Sequence, residues 1–425
     1  MDSKYCYALV LVVIGGLLGT VLPNYAQADW AAYLYTSNNS QLVQVGPDGE
    51  RAKYSLGVNI EAGEWVNGFD LAVTPDGARV AFCFVTNTTS ADGTSLKTQA
   101  TYVLRDIAAE QDIVRLDMGS PLSCLTGETA FNPAGTSLTL AKVNSYPGDP
   151  NTDPNTPYWS LQIIDPLTGD VQAELNQHSP QLAAIGIDPF LTTNPIIPLV
   201  LSFDDSGVIF TVAPFASEGR LDAAYRWDFT SGAVIPATPW DKYGLSRQTA
   251  SGEFVYADLD PALPVGEPGG PMANNNVVRV QDTTGAPRTV FIGGSDWIVV
   301  NTAFVNQGRD LAINLLQSFV PSNDPQATQQ LRWILLRRDG TQVELYADPD
   351  YAELAAVDNG YILLMQDFQR DQPNTYPSYN LIYGDGNEQR VIWELPPIIS
   401  YQNWEIVWGT PTTMQADLPP FTAVN

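Results

Sequence analysis

Glycine-containing turns recur along this chain, each set between two short apolar strands, and they alternate between two kinds. The first kind is clearest from Leu71 to Phe84 (LAVTPDGARVAFCF) and returns around Gly135, Gly207, Gly252, Gly308 and Gly360. The second kind reads QLVQVGPDGERAKYSL, LQIIDPLTGDVQAEL, YRWDFTSGAVIP, VVRVQDTTGAPRTVFI, WILLRRDGTQVELY and LIYGDGNEQRVIWEL, with a glycine-free member in YVLRDIAAEQDIVRL. Both are β-hairpin patterns, because turn residues that accept positive φ sit between β-branched and aromatic residues suited to a pleated surface.

A first hairpin, a loop and a second hairpin make a unit of four strands. Seven second hairpins stand against six first hairpins, and the ends of the chain explain the mismatch. The opening strand AAYLYT (Ala31 to Thr36) runs straight into a second hairpin, so its unit lacks an innermost strand; the chain closes on a lone strand, WEIVWG (Trp404 to Gly409). If the last strand completes the first unit, the result is an all-β fold: a single β-propeller of seven four-stranded blades, covering residues 29–410. Closure removes the strand edges that an open array would leave unpaired. No helical period persists over a long window, and a helix is expected only as an inter-blade insertion within Ser179 to Phe190.

The turn Thr74-Pro75-Asp76-Gly77, followed by Arg79-Val80-Ala81-Phe82, closely resembles the hallmark of bacterial exported propellers with TolB-type, WD-repeat-like units. The Gly135, Gly207 and Gly252 units carry it in degenerate form, so the resemblance spans nearly all of the chain after residue 28. It implies a fold, not an activity. TolB itself resembles a two-domain protein with an α/β module ahead of its propeller, which this chain does not show, so a TolB-like role in an envelope complex is not implied.

The N-terminus carries Lys4, an apolar stretch from Tyr7 to about Leu22, and then Ala26-Gln27-Ala28, the small-x-small pattern of a signal peptidase site. Residues 1–28 are therefore expected to be a signal peptide, with the mature chain periplasmic, cell-surface or extracellular. A retained anchor is the competing reading, although about 16 apolar residues fall short of the about 20 that span a bilayer. Cleavage would remove one acid (Asp2) and one base (Lys4), leaving the net charge of −27 unchanged. So acidic a protein repels nucleic acid and anionic lipid. After export Cys83 and Cys124 remain, which either close a disulfide between neighbouring blades or stay as two buried thiols.

In a propeller the turns within each hairpin lie on one face and the crossovers within and between blades on the other. The crossovers here are the long segments: Thr86 to Gln99, Asn144 to Pro157, Asp258 to Asn275, Gln317 to Gln330 and Asp367 to Ser378. Loops on a rigid scaffold are where binding residues concentrate. Trp65, Tyr146, Tyr158, Trp159, Trp240, Trp297, Tyr376 and Trp404 lie in or beside crossovers, and aromatic faces among amides and acids suit sugars or extended peptides. Packing between blades is the competing use of these rings. Asp149, Asn151, Asp153 and Asn155 form a candidate calcium loop by their alternate oxygens, although Pro154 stands where such loops place glycine and Ser160 where they place glutamate.

Catalysis is narrowed by what the chain lacks. A single histidine, His178, in a polar inter-blade loop, leaves no multi-histidine metal site and one base for triad chemistry. No Gly-x-Ser-x-Gly elbow, phosphate-binding glycine loop or Cys-x-x-Cys occurs. The expectation is a non-catalytic binding or scaffold module for a protein, peptide or glycan at the cell envelope. The alternative is a carboxylate-dependent glycoside hydrolase or lyase, or a calcium-dependent lactonase, with its site at the central channel. The segment after Thr410 has no strand pattern and is expected as a coil on the surface or free in solvent.

Overall fold

The Thr74-Pro75-Asp76-Gly77 turn shows how the repeat folds locally. The Thr74 hydroxyl donates to the Asp76 carboxylate (2.6 Å) and accepts from the Arg79 amide (3.0 Å), while Asp76 also accepts from the Ala78 amide (3.0 Å). These donors, the Thr74 hydroxyl foremost, hold the Asp76 carboxyl below its ordinary range. Gly77 takes a φ of 71°, and a Cβ there would lie 2.7 Å from the Trp408 ring. Asn132 ties the equivalent turn of the third unit, its Oδ1 accepting from the amides of Thr136 (2.8 Å) and Ser137 (2.9 Å). The Gly207 turn follows a different rule. Glycine is needed there because a Cβ would meet the Trp227 carbonyl oxygen at 2.4 Å.

The computed structural model describes residues 30–36, 40–89, 96–119, 123–125, 130–144, 157–184, 196–214, 224–237, 246–247, 252–259, 275–282, 285–294, 297–317, 330–348, 352–367, 378–395 and 404–424. Their strands form seven four-stranded antiparallel sheets. The second blade runs Glu64–Val73, Arg79–Thr89, Leu96–Asp106 and Gln111–Asp117, and the third Ser123–Leu125, Leu138–Val143, Trp159–Ile164 and Val171–Asn176. The fourth blade spans Ile196 to Pro236, the fifth Ser246 to Ile292, the sixth Trp297 to Asp348 and the seventh Ala352 to Leu395. The first blade takes its innermost strand from the far end of the chain: Trp404–Gly409 pairs antiparallel with Ala32–Thr36, which continues into Gln41–Gly46 and Gly49–Ser55. Ala31 and Thr410 exchange backbone and hydroxyl hydrogen bonds at 2.8 Å just beyond that pairing. The chain is thus an all-β, seven-bladed propeller closed by strand exchange.

One segment differs from the sequence reading. Thr86 to Gln99, expected as a crossover loop, is largely a continued ladder, pairing from Thr86↔Gln99 out to Thr89↔Leu96. Polar β-branched residues can extend a hairpin past the core, where the alternation of apolar and polar residues that marks a strand is lost. The expected inter-blade helix occupies Pro180–Ala184. No helix among the described residues is long and apolar enough to cross a membrane.

The core lies in the junctions between blades. Leu71 and Phe82 of the second blade pack on Tyr33 and Leu42 of the first, and Leu161 of the third on Phe210 of the fourth. Between the second and third blades Cys83 and Cys124 are joined by a disulfide, with Cα atoms 6.0 Å apart. The segment after Thr410 lies on the hairpin-turn face of the fifth and sixth blades. Phe421 is only 2% exposed in their shared core, and amides of Gln415, Thr422 and Val424 donate to carbonyls of Gln307, Arg338 and Thr289 (2.8–3.0 Å).

Candidate functional site

The residues expected on the crossover face divide three ways. Tyr146, Trp240 and Tyr376, and the whole candidate calcium set Asp149, Asn151, Asp153 and Asn155, lie outside the described residues. Trp159 and Trp404 are core residues, Trp159 beneath the junction of the third and fourth blades and Trp404 edge-on to Trp393 at 5.4 Å. Tyr158 and Trp297 are half-buried against cores, and the Arg332 guanidinium stands 4.5 Å over the Trp297 ring. Packing thus takes up much of the aromatic content at these strand ends. Trp65 behaves differently: it is 48% exposed at the crossover end of the second blade's innermost strand, close in sequence to Ile60 at 43%. His178 is exposed, its ring 3.2 Å from the Gln177 amide nitrogen.

A pocket of about 520 Å³ opens at the junction of the third and fourth blades. It is built mainly from hairpin turns: Asn132, Thr136 and Ser137 from the third blade's first turn, Asp204 and Asp205 from the fourth blade's, and Phe229 and Gly232 from the fourth blade's second. Phe203, Trp227 and Phe229 form its aromatic part, with Phe229 edge-to-face to both others at 6.2 and 5.5 Å. Asn132, itself buried, donates its amide to the Asp205 carboxylate at 2.8 Å and so fixes that acid across the junction. Asp204 accepts from the Ser206 hydroxyl and amide; burial would raise its carboxyl, but these donors, Arg226 and the Gly207 amide together hold it below the usual range. Glu174 accepts amide donors from Gln162 and Asn176, both at 2.8 Å.

Sequence reasoning missed this pocket because its polar residues are turn residues, which carry the repeat and so attract a structural explanation. The usable signal was the aromatic residue flanking both turns of one blade, Phe203 before Asp204-Asp205 and Phe229 after Asp228.

Two carboxylates sit on the innermost strands of adjacent blades, Glu353 in the seventh and Glu405 in the first. Glu353 accepts from the Ile406 amide at 3.2 Å, and burial pushes the Glu405 carboxyl above its ordinary range. Among the described residues no three His, Cys, Asp or Glu side chains converge as metal ligands would.

No protein-family model and no curated protein matches the chain. Among solved structures it is similar to prolyl oligopeptidase B from Galerina marginata, at 10% identity and a TM-score of 0.50, over 87% of this chain and 52% of that one. It is also similar to the acylaminoacyl peptidase of Pyrococcus horikoshii (13% identity, TM-score 0.46, 88% and 51% covered). A third likeness is to the periplasmic gluconolactonase of Pseudomonas aeruginosa (14%, 0.42, 88% and 98%). The chain spans about half the length of the two peptidases it resembles. Identities this low speak to fold and not to chemistry. The likeness to the prolyl oligopeptidase is one of fold alone, and the seven blades are read from this chain's own sheets.

Proposed function

We propose that this protein is an exported, non-catalytic propeller of the TolB-type, WD-repeat-like kind that binds a protein, peptide or glycan through its crossover face. The observation that carries the reading is Trp65: a large aromatic side chain 48% exposed at a strand end paired with Val85, where Trp159 and Trp404 at comparable places are buried. An exposed indole on a preorganised strand gives apolar contact area at small entropic cost, as binding surfaces do. The disulfide between Cys83 and Cys124 supports export, since such bonds persist in oxidising compartments. The mature chain then begins near Asp29, and N-terminal sequencing of the exported protein tests that boundary.

The binding test is a screen of glycan and peptide arrays with the mature protein and its Trp65→Ala variant. Loss of a captured ligand with Trp65→Ala, the fold being intact, supports the reading; capture that survives the substitution overturns it. Calcium at Asp149, Asn151, Asp153 and Asn155 belongs to the same proposal, and a calcium-dependent rise in melting temperature abolished by Asp149→Ala and Asp153→Ala tests it.

A second reading rests on Glu405. A carboxyl raised by burial on an innermost strand beside Glu353 is the kind of group a hydrolase or lyase uses as a general acid. Turnover of an oligosaccharide or lactone that Glu405→Gln abolishes would establish it and displace the non-catalytic reading.

A further inference from the structure

The junction between the fifth and sixth blades holds a cation in a fully assembled setting. The Arg338 guanidinium, 7% exposed at its side chain, pairs with Glu253 at 2.8 Å, lies 4.3 Å over the Phe421 ring, and donates to the Pro419 carbonyl oxygen at 2.6 Å. Carboxylate, aromatic ring and guanidinium satisfy one another there.

The junction between the third and fourth blades presents two of those three partners around an open pocket. Its aromatic part is Phe203, Trp227 and Phe229, the last nearly perpendicular to the other two (80° and 86°). Its acids are Glu174, Asp204 and Asp205, and no Lys or Arg stands among its described lining residues. The acids differ in how far they are already neutralised. Glu174 accepts two amide donors and attracts the half-buried Lys142, and Asp204 is satisfied by Ser206 and Arg226. Asp205 is exposed and is held by the neutral Asn132 amide, which aims it without cancelling its charge. A fixed carboxylate beside perpendicular aromatic rings suits an organic cation, through Coulombic attraction and the negative faces of the rings.

We propose that the pocket between the third and fourth blades binds the guanidinium or ammonium group of a basic peptide side chain, with Asp205 as its carboxylate partner and Phe229 as its aromatic contact. The site is on the hairpin-turn side of the ring and does not depend on Trp65 or on the crossover face.

The test is titration calorimetry at low salt with acetyl-Gly-Arg-Gly-amide and its neutral isostere acetyl-Gly-citrulline-Gly-amide. The Arg peptide is expected to bind at least about tenfold more tightly than the citrulline peptide. That advantage is expected to vanish in Asp205→Asn and to fall in Phe229→Ala, while Trp65→Ala leaves it unchanged. Asp205 is a surface residue, so its variant keeps the wild-type melting temperature and loss of binding is not loss of fold. Equal binding of the two peptides, or no binding of either, overturns the proposal. So does an Arg preference that survives Asp205→Asn, which would mean attraction to the whole acidic surface. Failure here leaves the crossover-face reading standing, and failure of Trp65→Ala in the array screen leaves this one standing.

Discussion

At the hairpin-turn face, the junction of the fifth and sixth blades is filled by the chain's own C-terminal segment, while the junction of the third and fourth is left as a pocket of about 520 Å³. Turn residues build both, and the difference is one of charge and supply. Where Glu253 faces inward, Arg338 meets it, and Phe421 with the Pro419 carbonyl closes over the pair. Where Asp205 faces the pocket, its described partner is a neutral amide and no segment of the described chain covers it. At these two junctions of repeated hairpins, what the sequence places beside the turns decides between a structural plug and an open site.

The largest effect expected from breaking the filled junction comes from Glu253→Ala, which strands the buried Arg338 charge and should cost about 3–5 kcal/mol. Asp205→Asn at the open junction should change stability by less than about 0.5 kcal/mol. Urea unfolding of the two variants compares them directly, and similar losses would mean that the third and fourth blades also depend on a charge pair for cohesion. Phe421→Ala comes next, at about 3 kcal/mol, since the ring is 2% exposed and packed on Phe304 at 6.2 Å. Deleting residues 411–425 should cost at least as much; a truncated chain with wild-type stability would show the segment to be a passenger on the surface rather than a plug.

A third junction sharpens the comparison, because it is tied covalently. Replacing Cys83 and Cys124 by alanine should cost about 2–4 kcal/mol, less than breaking the Arg338 pair at its upper estimate. Equilibrium unfolding under oxidising and reducing conditions checks this: the wild type should fall to the double variant's stability on reduction, and the variant should not respond.

The hairpins were legible from sequence because turn chemistry leaves a local mark. Asp76, for example, takes its hydrogen bonds from Thr74 and Ala78, each two positions away. Ring closure was legible from a counting argument, one unpaired second hairpin and one lone terminal strand. The pocket was not, because Asn132 and Asp205 are 73 positions apart and nothing local links them. Trp65 and Trp159 both lie at strand ends beside crossovers, yet one is exposed and the other is core; the deciding atoms belong to the neighbouring blade, which periodicity does not report. Phe421 escaped for the same reason: its partner Arg338 lies in a turn of the sixth blade.

The smallest effect concerns a half-buried acid without the compensation that Glu253 enjoys. Burial is the cause acting on Glu405, and it raises the carboxyl above its ordinary value. A carboxyl with a folded pKa above its unfolded one, which is about 4.3, penalises the folded state wherever the group is ionised. The penalty is full above the folded pKa and disappears as pH falls through it toward the unfolded value. Glu405→Gln removes the charge, so the variant should be the more stable protein at neutral pH, with the gap closing as the pH approaches about 4.3. Urea midpoints measured for both proteins across that range test the assignment. A gap that stays constant with pH would place the effect of the substitution in packing or hydrogen bonding, and would remove the support that a raised Glu405 lends to the catalytic reading.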